Sequence, residues 1–346
     1  MKRFMLCLAA VLLISSGVQA QEPVNFSGKT IMMVVGNTAG GGTDVAGRLV
    51  AQFLEKYLPG NPNVLIRNMP GAQGVLALNY VYMQTKRDGL TVMSGSASQV
   101  NPLIFKKANG QFDPAKFKHI GGLGRGGSVL LISVDAEKRL RDPKAAPVVF
   151  GVIEVMRPTS QVAMWGIEYL GWNVRWISGY RGSNDTTLAL ERGEIDMTTT
   201  SNLFLIERLV ATGKFKILSQ SGSIDDGKYL PRPEFGNAPV FRDLVVDKVK
   251  DETGKRALAY WESSEGVDKW FALSDGTPDD IVNEYRAAFQ KMVKDPDFIE
   301  RGKKISEDLS PMGWQDMQQL VTEIAIVTQQ TDEYILAQLR KQGAIK

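Results

Sequence analysis

Three adjacent glycines join an apolar segment to a helix-like segment near the start of the chain. The stretch is IMMVVGNTAGGGTDVAGRLVAQFLEKY, residues 31–57. Four of its five glycines fall in residues 36–42, which we call the glycine loop. Apolar side chains then return at Val45, Leu49 and Phe53, the spacing of a helix with one buried face. The stretch therefore predicts a strand, a loop and a helix.

The segments that follow repeat this order. Residues 63–68 (NVLIRN) are extended and apolar, residues 75–85 return to helical spacing, and residues 90–95 (LTVMSG) predict another strand. Strands that alternate with helices predict a parallel sheet covered by helices. Ligands of such sheets bind beyond the carboxyl ends of the strands. We therefore expect the glycine loop and the loop at 94–102 to lie at the same edge.

The chain is long enough for two lobes. At 346 residues it exceeds the roughly 250–300 at which a single core stops growing. We interpret the glycine-rich residues 121–127 as a flexible crossing between the lobes, because glycines absorb large backbone changes. We place lobe 1 at residues 21–124 and 265–346, and lobe 2 at residues 125–264.

The second lobe has α/β texture as well. Its predicted strands are residues 129–134, 148–153, 174–177, 195–198 and 215–219, and its predicted helices are residues 160–171, 183–192 and 202–211. Residues 220–264 have an irregular pattern, and residues 314–341 are predicted to be helical. The expected fold class is thus α/β, with each lobe a mostly parallel sheet flanked by helices and a ligand cleft between the lobes.

The first twenty residues have the layout of a secretory signal. Two basic residues precede an apolar run from Phe4 to Ile14, and cleavage is expected after Ala20. The alternative is a membrane anchor, but the run of eleven apolar residues is short of the about 20 needed to span a bilayer. We predict a mature protein in the periplasm.

Cleavage leaves a nearly neutral chain. Loss of Lys2 and Arg3 reduces the 41 basic residues to 39, against 38 acidic ones. No basic surplus indicates a nucleic-acid partner. The signal also contains Cys7, the only cysteine, so the mature chain has no thiol for catalysis, a metal cluster or a disulfide. His119 is the only histidine, and we assign it a structural role.

Known nucleotide-binding loops do not fit the glycine loop. A phosphate-binding P-loop ends in Gly-Lys-Ser/Thr, and GGGTD lacks the lysine. The dinucleotide pattern G-x-G-x-x-G occurs at residues 122–127, but a strand follows it instead of a helix. Two interpretations stay open. The loop is a tight turn, or it holds a small anion on the unpaired amides of the following helix, with Thr43 or Asp44 as the cap.

Several segments together resemble one transporter family. VGNTAGGGTDVAGRLVAQFL, IRNMPGAQGVLALNYV, RDGLTVMSGSASQVNPLIF and FDPAKFKHIGGL follow each other as in the periplasmic solute-binding proteins of tripartite tricarboxylate transporters, the Bug family. The later segments ISGYRGSNDTTLALERGEIDM and KWFALSDGTPDDIVNEYRAAF resemble the same family. The resemblance covers nearly the whole mature chain. It implies a two-lobed type II binding protein with a ligand between the lobes.

The resemblance also implies a set of site residues. The glycine loop would hold one ligand carboxylate through its backbone and water, and residues 94–97 would line the same lobe. The candidate ligand-binding residues are Asn37, Thr38, Ala39, Gly40, Gly41, Gly42, Asp44, Ser94, Ser96, Ala97, Arg157, Thr159, Ser160, Tyr180, Arg181, Thr200 and Ser201. Arg157 either pairs with a second ligand carboxylate or is a solvated loop arginine.

The chain departs from the family pattern at four places, one of which is the segment 220–260, which matches the family poorly and is longer. The family usually has Pro-Phe where this chain has Gly36-Asn37, and residues 154–158 (EVMRP) replace a small glycine-rich loop. Thr200 and Ser201 stand where the family often has an acid followed by Ser or Asn, which makes the pocket less negative.

We therefore expect a binding protein and not an enzyme. It would be a monomer without cofactor or metal that captures an aliphatic di- or tricarboxylate, or an aromatic acid, and delivers it to membrane permease subunits. One alternative is an exported α/β hydrolase or oxidoreductase. The sequence lacks the G-x-S-x-G motif that carries the nucleophile of α/β hydrolases, which argues against a hydrolase. A second is a ligand-loaded co-receptor for a sensor kinase, which the same pocket would serve.

Overall fold

The apolar segment at the start of the mature chain forms a buried strand, and the amphipathic segment after it forms a helix. A computed structural model describes residues 23–124, 128–225, 228–305, 309–325 and 327–346. The predicted signal and part of the predicted crossing, residues 125–127, lie outside them.

The strands of the described residues are β1 (Thr30–Val35), β2 (Asn63–Asn68), β3 (Thr91–Ser96), β4 (Lys118–Leu123), β5 (Val129–Ser133), β6 (Val148–Val152), β7 (Val174–Ser178), β8 (Met197–Thr200), β9 (Phe215–Gln220), β10 (Ser223–Asp225), β11 (Lys228–Leu230), β12 (Lys269–Leu273) and β13 (Pro311–Met312). The helices are α1 (Gly42–Tyr57), α2 (Val75–Gln84), α3 (Ala97–Val100), α4 (Pro102–Phe105), α5 (Val134–Glu137), α6 (Pro158–Leu170), α7 (Ser183–Glu191), α8 (Leu203–Ala211), α9 (Phe241–Val245), α10 (Glu252–Glu265), α11 (Asp279–Met292), α12 (Pro296–Lys304), α13 (Trp314–Ala325) and α14 (Gln329–Lys341).

Helix α1 shows why the sequence pattern was informative. Leu49, Val50 and Phe53 are buried, whereas Val45 and Tyr57 are half-buried at the margins of the same face. Burial of each large apolar side chain contributes about 1.5–3 kcal/mol. This face packs the helix against strand β2 and helix α11. None of the described helices combines the length and the apolar character needed to cross a membrane.

Two sheets flanked by helices confirm the α/β prediction. The first has the strand order β13-β4-β12-β3-β1-β2, and the second has the order β7-β6-β8-β5-β9. The predicted strands and helices of the second region all occur, within a few residues of the expected bounds. A separate two-stranded ribbon, β10-β11, lies outside both sheets.

Most strands of each sheet run in the same direction, as expected, and a few strands that run the other way are inserted among or beside them. In the first sheet β1 is parallel to β2 and β3, but β12 runs antiparallel to β3 and β4, and β13 runs antiparallel to β4. In the second sheet β6 is parallel to β7 and β8, and β5 is antiparallel to β8 and β9. The cause is the chain path. Strand β12 enters the first sheet on the way back from the second and inserts between strands that are already neighbours in sequence.

The two crossings between the sheets run side by side. The first follows β4, where a side chain on Gly124 (φ +82°) would lie 2.7 Å from Asp268 Oδ2. The second, between α10 and β12, contains Asp268 itself. Ser128 Oγ donates a hydrogen bond of 2.9 Å to Glu265 Oε2 and so joins the two crossings.

Residues 220–264, whose sequence pattern is irregular, contain a regular helix, α10. Asp251 caps it by accepting the Gly254 amide at 2.7 Å. Its buried residues Ala257, Leu258 and Trp261 have helical spacing and pack against α6, α13 and α14.

His119 has the structural role predicted for it. The ring is fully buried against Trp270, and Nε2 lies 3.4 Å from the Pro114 carbonyl oxygen.

Candidate functional site

The candidate site is a cleft between the two sheets with a volume of about 150 Å³. The first sheet contributes the glycine loop after β1 and the end of β3. The two loops lie together, as expected, because Gly36 N donates to the Ser94 carbonyl oxygen at 3.4 Å. The second sheet contributes the loops after β6, β7 and β8. The cleft thus lies beyond the carboxyl ends of parallel strands from both sheets.

The glycine loop is held in shape by Asp44, which lies in the first turn of α1. Asp44 Oδ2 accepts the Gly40 amide at 2.8 Å and Arg48 Nε at 2.9 Å, and Oδ1 accepts Asn68 Nδ2 at 2.8 Å. Asn68 Nδ2 also donates to the Asn37 carbonyl oxygen at 3.0 Å. Burial raises the pKa of Asp44, but the hydrogen bonds from Arg48, Gly40 and Asn68 outweigh burial and lower it overall.

The expected side-chain cap of α1 is wrong. The N-cap is Gly41, and neither Thr43 nor Asp44 caps the helix with its side chain. Asp44 is already inside the first turn and reaches back past the cap to Gly40. Within the described residues, the backbone amides of Gly42 and Thr43 have no acceptor and line the cleft. They form one helix N-terminus, with its partial positive charge, that faces the cleft.

Two more helix starts face the cleft from the second sheet. Helix α6 begins after Arg157 and places Thr159 and Ser160 on the wall, and helix α7 begins after Gly182 and places Ser183 there. The Ser183 amide has no acceptor in the described part of the chain. The partial positive charges of three helix ends therefore point into one space.

Arg157 is the charged group that the sequence left ambiguous. Its side chain lines the cleft and is half-buried. No hydrogen bond or ion pair joins its guanidinium to another described residue. Burial lowers its pKa, and the charges of Asp268, Glu154 and Glu265 act in the opposite direction. A half-buried guanidinium without a partner favours the interpretation in which Arg157 receives an anion.

The remaining charges of the cleft are paired. Arg181 is exposed at the rim, with Nε 3.0 Å from Asp185 Oδ2. Lys269 Nζ is buried and lies 2.6 Å from Asp268 Oδ2. With Arg157, the lining charges amount to three cations and one anion. The described residues contain no group of three or more potential metal ligands.

The structure brings most of the candidate residues together. Those that line the cleft are Asn37, Thr38, Gly41, Gly42, Ser96, Arg157, Thr159, Ser160, Arg181, Thr200 and Ser201. Those that do not are Ala39, Gly40, Asp44, Ser94, Ala97 and Tyr180.

Each of the second group has a structural reason for its position. Ala39 and Gly40 are on the exposed side of the loop, and Asp44 is committed to its hydrogen bonds. Ser94 is buried beneath Gly47 of α1, and the Tyr180 ring packs on Gly151. Ala97 borders a smaller space next to the cleft.

Sequence reasoning missed a part of the lining. The additional residues are Thr43, Val152, Ile153, Ser183, Thr186, Thr198, Thr199, Asp268 and Lys269. Asp268 and Lys269 had a signal, because an acid directly before the buried strand β12 is followed by a base at the first position of that strand. The threonines at the end of β8 continue the predicted pair Thr200 and Ser201.

Comparison with solved structures identifies the fold. A TctC solute-binding protein from Polaromonas aligns with a TM-score of 0.65 and 21% identity, over 90% of this chain and 98% of its own. The chain has the fold of the TctC and Bug periplasmic binding proteins. BugD aligns with a TM-score of 0.62 and 19% identity over 91% of this chain and 97% of its own. MatC from Rhodopseudomonas palustris, solved with bound malate, aligns with a TM-score of 0.61 and 19% identity over 88% and 98%.

These structures confirm the resemblance to TctC and Bug proteins at the level of the fold. No protein-family model matches the chain, and no curated protein matches it.

Proposed function

We propose that this chain is a periplasmic solute-binding protein that captures a small organic carboxylate between two lobes and delivers it to a tripartite tricarboxylate-type permease. One observation carries the proposal: the unpaired Arg157 guanidinium shares a small cleft with the free amides of Gly42 and Thr43. Carboxylates fit both groups, because a guanidinium binds them with two hydrogen bonds and helix starts favour anions.

The size and the charge of the cleft support the same ligand class. A volume of about 150 Å³ is below the roughly 300–1,000 Å³ of sites for drug-sized molecules, so the ligand is small. Two anion-binding positions on opposite walls favour a dicarboxylate over a monocarboxylate. The bound malate of MatC, a dicarboxylate in a protein of the same fold, agrees with this assignment.

The proposal includes a hinge. Lobe 1 would comprise residues 21–124 and 265–346, and lobe 2 residues 125–264, with the two adjacent crossings as the axis of closure. Closure would bring Arg157 towards the glycine loop and bury the ligand. The protein would be exported by a signal cleaved after Ala20 and would act as a monomer, without a cofactor and without chemistry on its ligand.

Ligand-dependent thermal stability tests the proposal. The purified mature protein is heated with malate, adipate, citrate, benzoate and, as a non-anionic control, glycerol. At least one carboxylate should raise the Tm, because a ligand that binds only the folded state stabilises it by mass action. Mass spectrometry should recover that acid unchanged after incubation. Consumption of the acid would instead support the hydrolase or oxidoreductase alternative, and no response to any acid would reject carboxylate capture.

A further inference from the structure

A side chamber opens from the cleft behind Arg157. Its volume is about 40 Å³, and it shares Arg157, Thr159, Ser201 and Asp268 with the cleft wall. A water molecule occupies about 30 Å³ in the liquid, so the chamber has room for one small polar group. Glu265 lines the chamber as well but not the cleft.

Glu265 offers an acceptor that nothing in the described chain uses. Its Oε2 accepts the Ser128 hydroxyl at 2.9 Å. Its Oε1 is buried and has no hydrogen-bond partner among the described residues. A buried carboxylate oxygen without a donor is costly, so a donor from outside the protein is expected to reach it.

The charges around the chamber decide which kind of donor fits. Asp268 is paired with Lys269 at 2.6 Å, and Arg157 is the cation whose charge offsets that of Glu265. Above about pH 7, where Glu265 is ionised, the four groups together are neutral. An ammonium would lie next to the Arg157 guanidinium and be repelled by it, whereas a hydroxyl donates to Glu265 without adding charge.

We propose that the side chamber receives a hydroxyl of the ligand, so that Glu265 selects carboxylates with a hydroxyl on the carbon next to the carboxylate that Arg157 binds. This inference rests on the proposed function and deepens it. Arg157 stands in the wall shared by cleft and chamber, so a hydroxyl one carbon away from its carboxylate is the group that can turn into the chamber. The alternative is that the chamber holds only water and contacts no part of the ligand.

Matched ligands test the inference without any mutation. Dissociation constants are measured by calorimetry for glutarate, 2-hydroxyglutarate and glutamate, and for the four-carbon series succinate, malate and aspartate. In each series that binds, the hydroxy acid should bind about tenfold or more tightly than the unsubstituted acid, the size expected for a hydrogen bond to a charged group. Equal affinities, or a tighter amino acid, would overturn the inference and leave carboxylate binding intact.

Variants then assign the effect to Glu265. The readout is the ratio of the dissociation constants of the unsubstituted and the hydroxy acid, which loss of overall affinity does not change. Glu265→Leu should bring this ratio close to one, and Glu265→Gln, which keeps an acceptor, should restore part of it. Glu252→Gln, at an exposed position of the same helix, should leave the ratio as in the parent. A ratio that is unaffected by Glu265→Leu would overturn the assignment. If no acid of either series or of the wider panel binds, the proposed function itself fails.

Discussion

The Asp44 carboxylate accepts the Gly40 amide at 2.8 Å and thereby ties the first turn of helix α1 to the loop in front of it. This hydrogen bond fixes the glycine loop before any ligand arrives.

Asp44→Ala removes this anchor together with the hydrogen bonds to Arg48 and Asn68. We expect a loss of about 1–3 kcal/mol in unfolding free energy and an affinity for the best carboxylate that is at least tenfold weaker. Urea unfolding and calorimetry measure the two effects. Asp135→Ala, which breaks an exposed ion pair with Lys138, is the control and should change neither. An unchanged affinity in Asp44→Ala would mean that the loop does not need to be preorganised.

Substitution of Gly41 tests the glycine loop directly. The Gly41 backbone is extended (φ −77°, ψ 163°), and an added Cβ would lie 3.3 Å from the Thr38 carbonyl oxygen. Gly41→Val therefore crowds the Thr38 carbonyl and replaces a favourable N-cap, at a cost of about 1–2 kcal/mol, and it fills the space where a carboxylate would approach. We expect affinity to fall at least about a hundredfold, with a smaller loss for Gly41→Ala. Normal binding by Gly41→Val would show that the loop only turns the chain.

Arg157→Gln tests the second anion position. The substitution removes the guanidinium from the cleft wall and keeps a polar side chain. We expect about a ten- to hundredfold weaker affinity for a dicarboxylate and a smaller loss for the matching monocarboxylate, because only the former reaches both walls. Arg175→Gln, at an exposed position of β7, is the control and should bind as the parent does. Unchanged affinity for both acids would place Arg157 outside the ligand contacts, and equal losses would contradict its role as a second anion position.

Glu265 should make the protein less stable as the pH rises. Burial, with a contribution from the charge of Asp268, raises the pKa of Glu265 to about 7 from its usual 4.5. The folded state then binds the proton more tightly than the unfolded state. The unfolding free energy should fall between about pH 4.5 and 7, by up to about 3 kcal/mol. Glu265→Gln should remove this part of the pH dependence. A profile that is the same in both proteins would contradict the raised pKa.

His119 should have the opposite effect at lower pH. Burial lowers the pKa of His119 to about 4, so the unfolded state binds the proton more tightly. The unfolding free energy should decrease as the pH falls from about 6.5 to 4, again by up to about 3 kcal/mol. His119→Gln should flatten the profile over this range. Comparison with Glu265→Gln separates the two groups, because their slopes have opposite signs.

The sequence predicted the local elements well and their long-range arrangement less well. The glycine loop, β6, α6 and α7 follow from apolar spacing and turn residues that lie within one segment. Helix α10 was missed because its surface is strongly charged, although Ala257, Leu258 and Trp261 have helical spacing. The antiparallel strands could not be predicted, since the position of β12 depends on residues about 150 to 180 positions apart meeting in one sheet.

In the candidate site, too, residues whose position depends on local sequence could be predicted, and residues whose position depends on distant parts of the chain could not. Thr159, Ser160, Thr200 and Ser201 lie at the starts of predicted elements, where resemblance and topology could both place them. Asp268 and Lys269 reach the cleft only because the chain returns from the second sheet at that point. The role of Arg157 depends on its surroundings in the folded chain, which the spacing of residues does not encode. The same local sequence is compatible with a guanidinium in solvent and with one in a cleft.

The insertion of β12 between β3 and β4 has a consequence for the order of assembly. Until residue 269 has been released, β3 and β4 each expose an unpaired edge that can pair with other chains. The first sheet therefore finishes after the second, although most of it is synthesised earlier. Such distant pairing slows folding, which suits the export proposed above, because a chain must still be unfolded when it is threaded through a translocation channel.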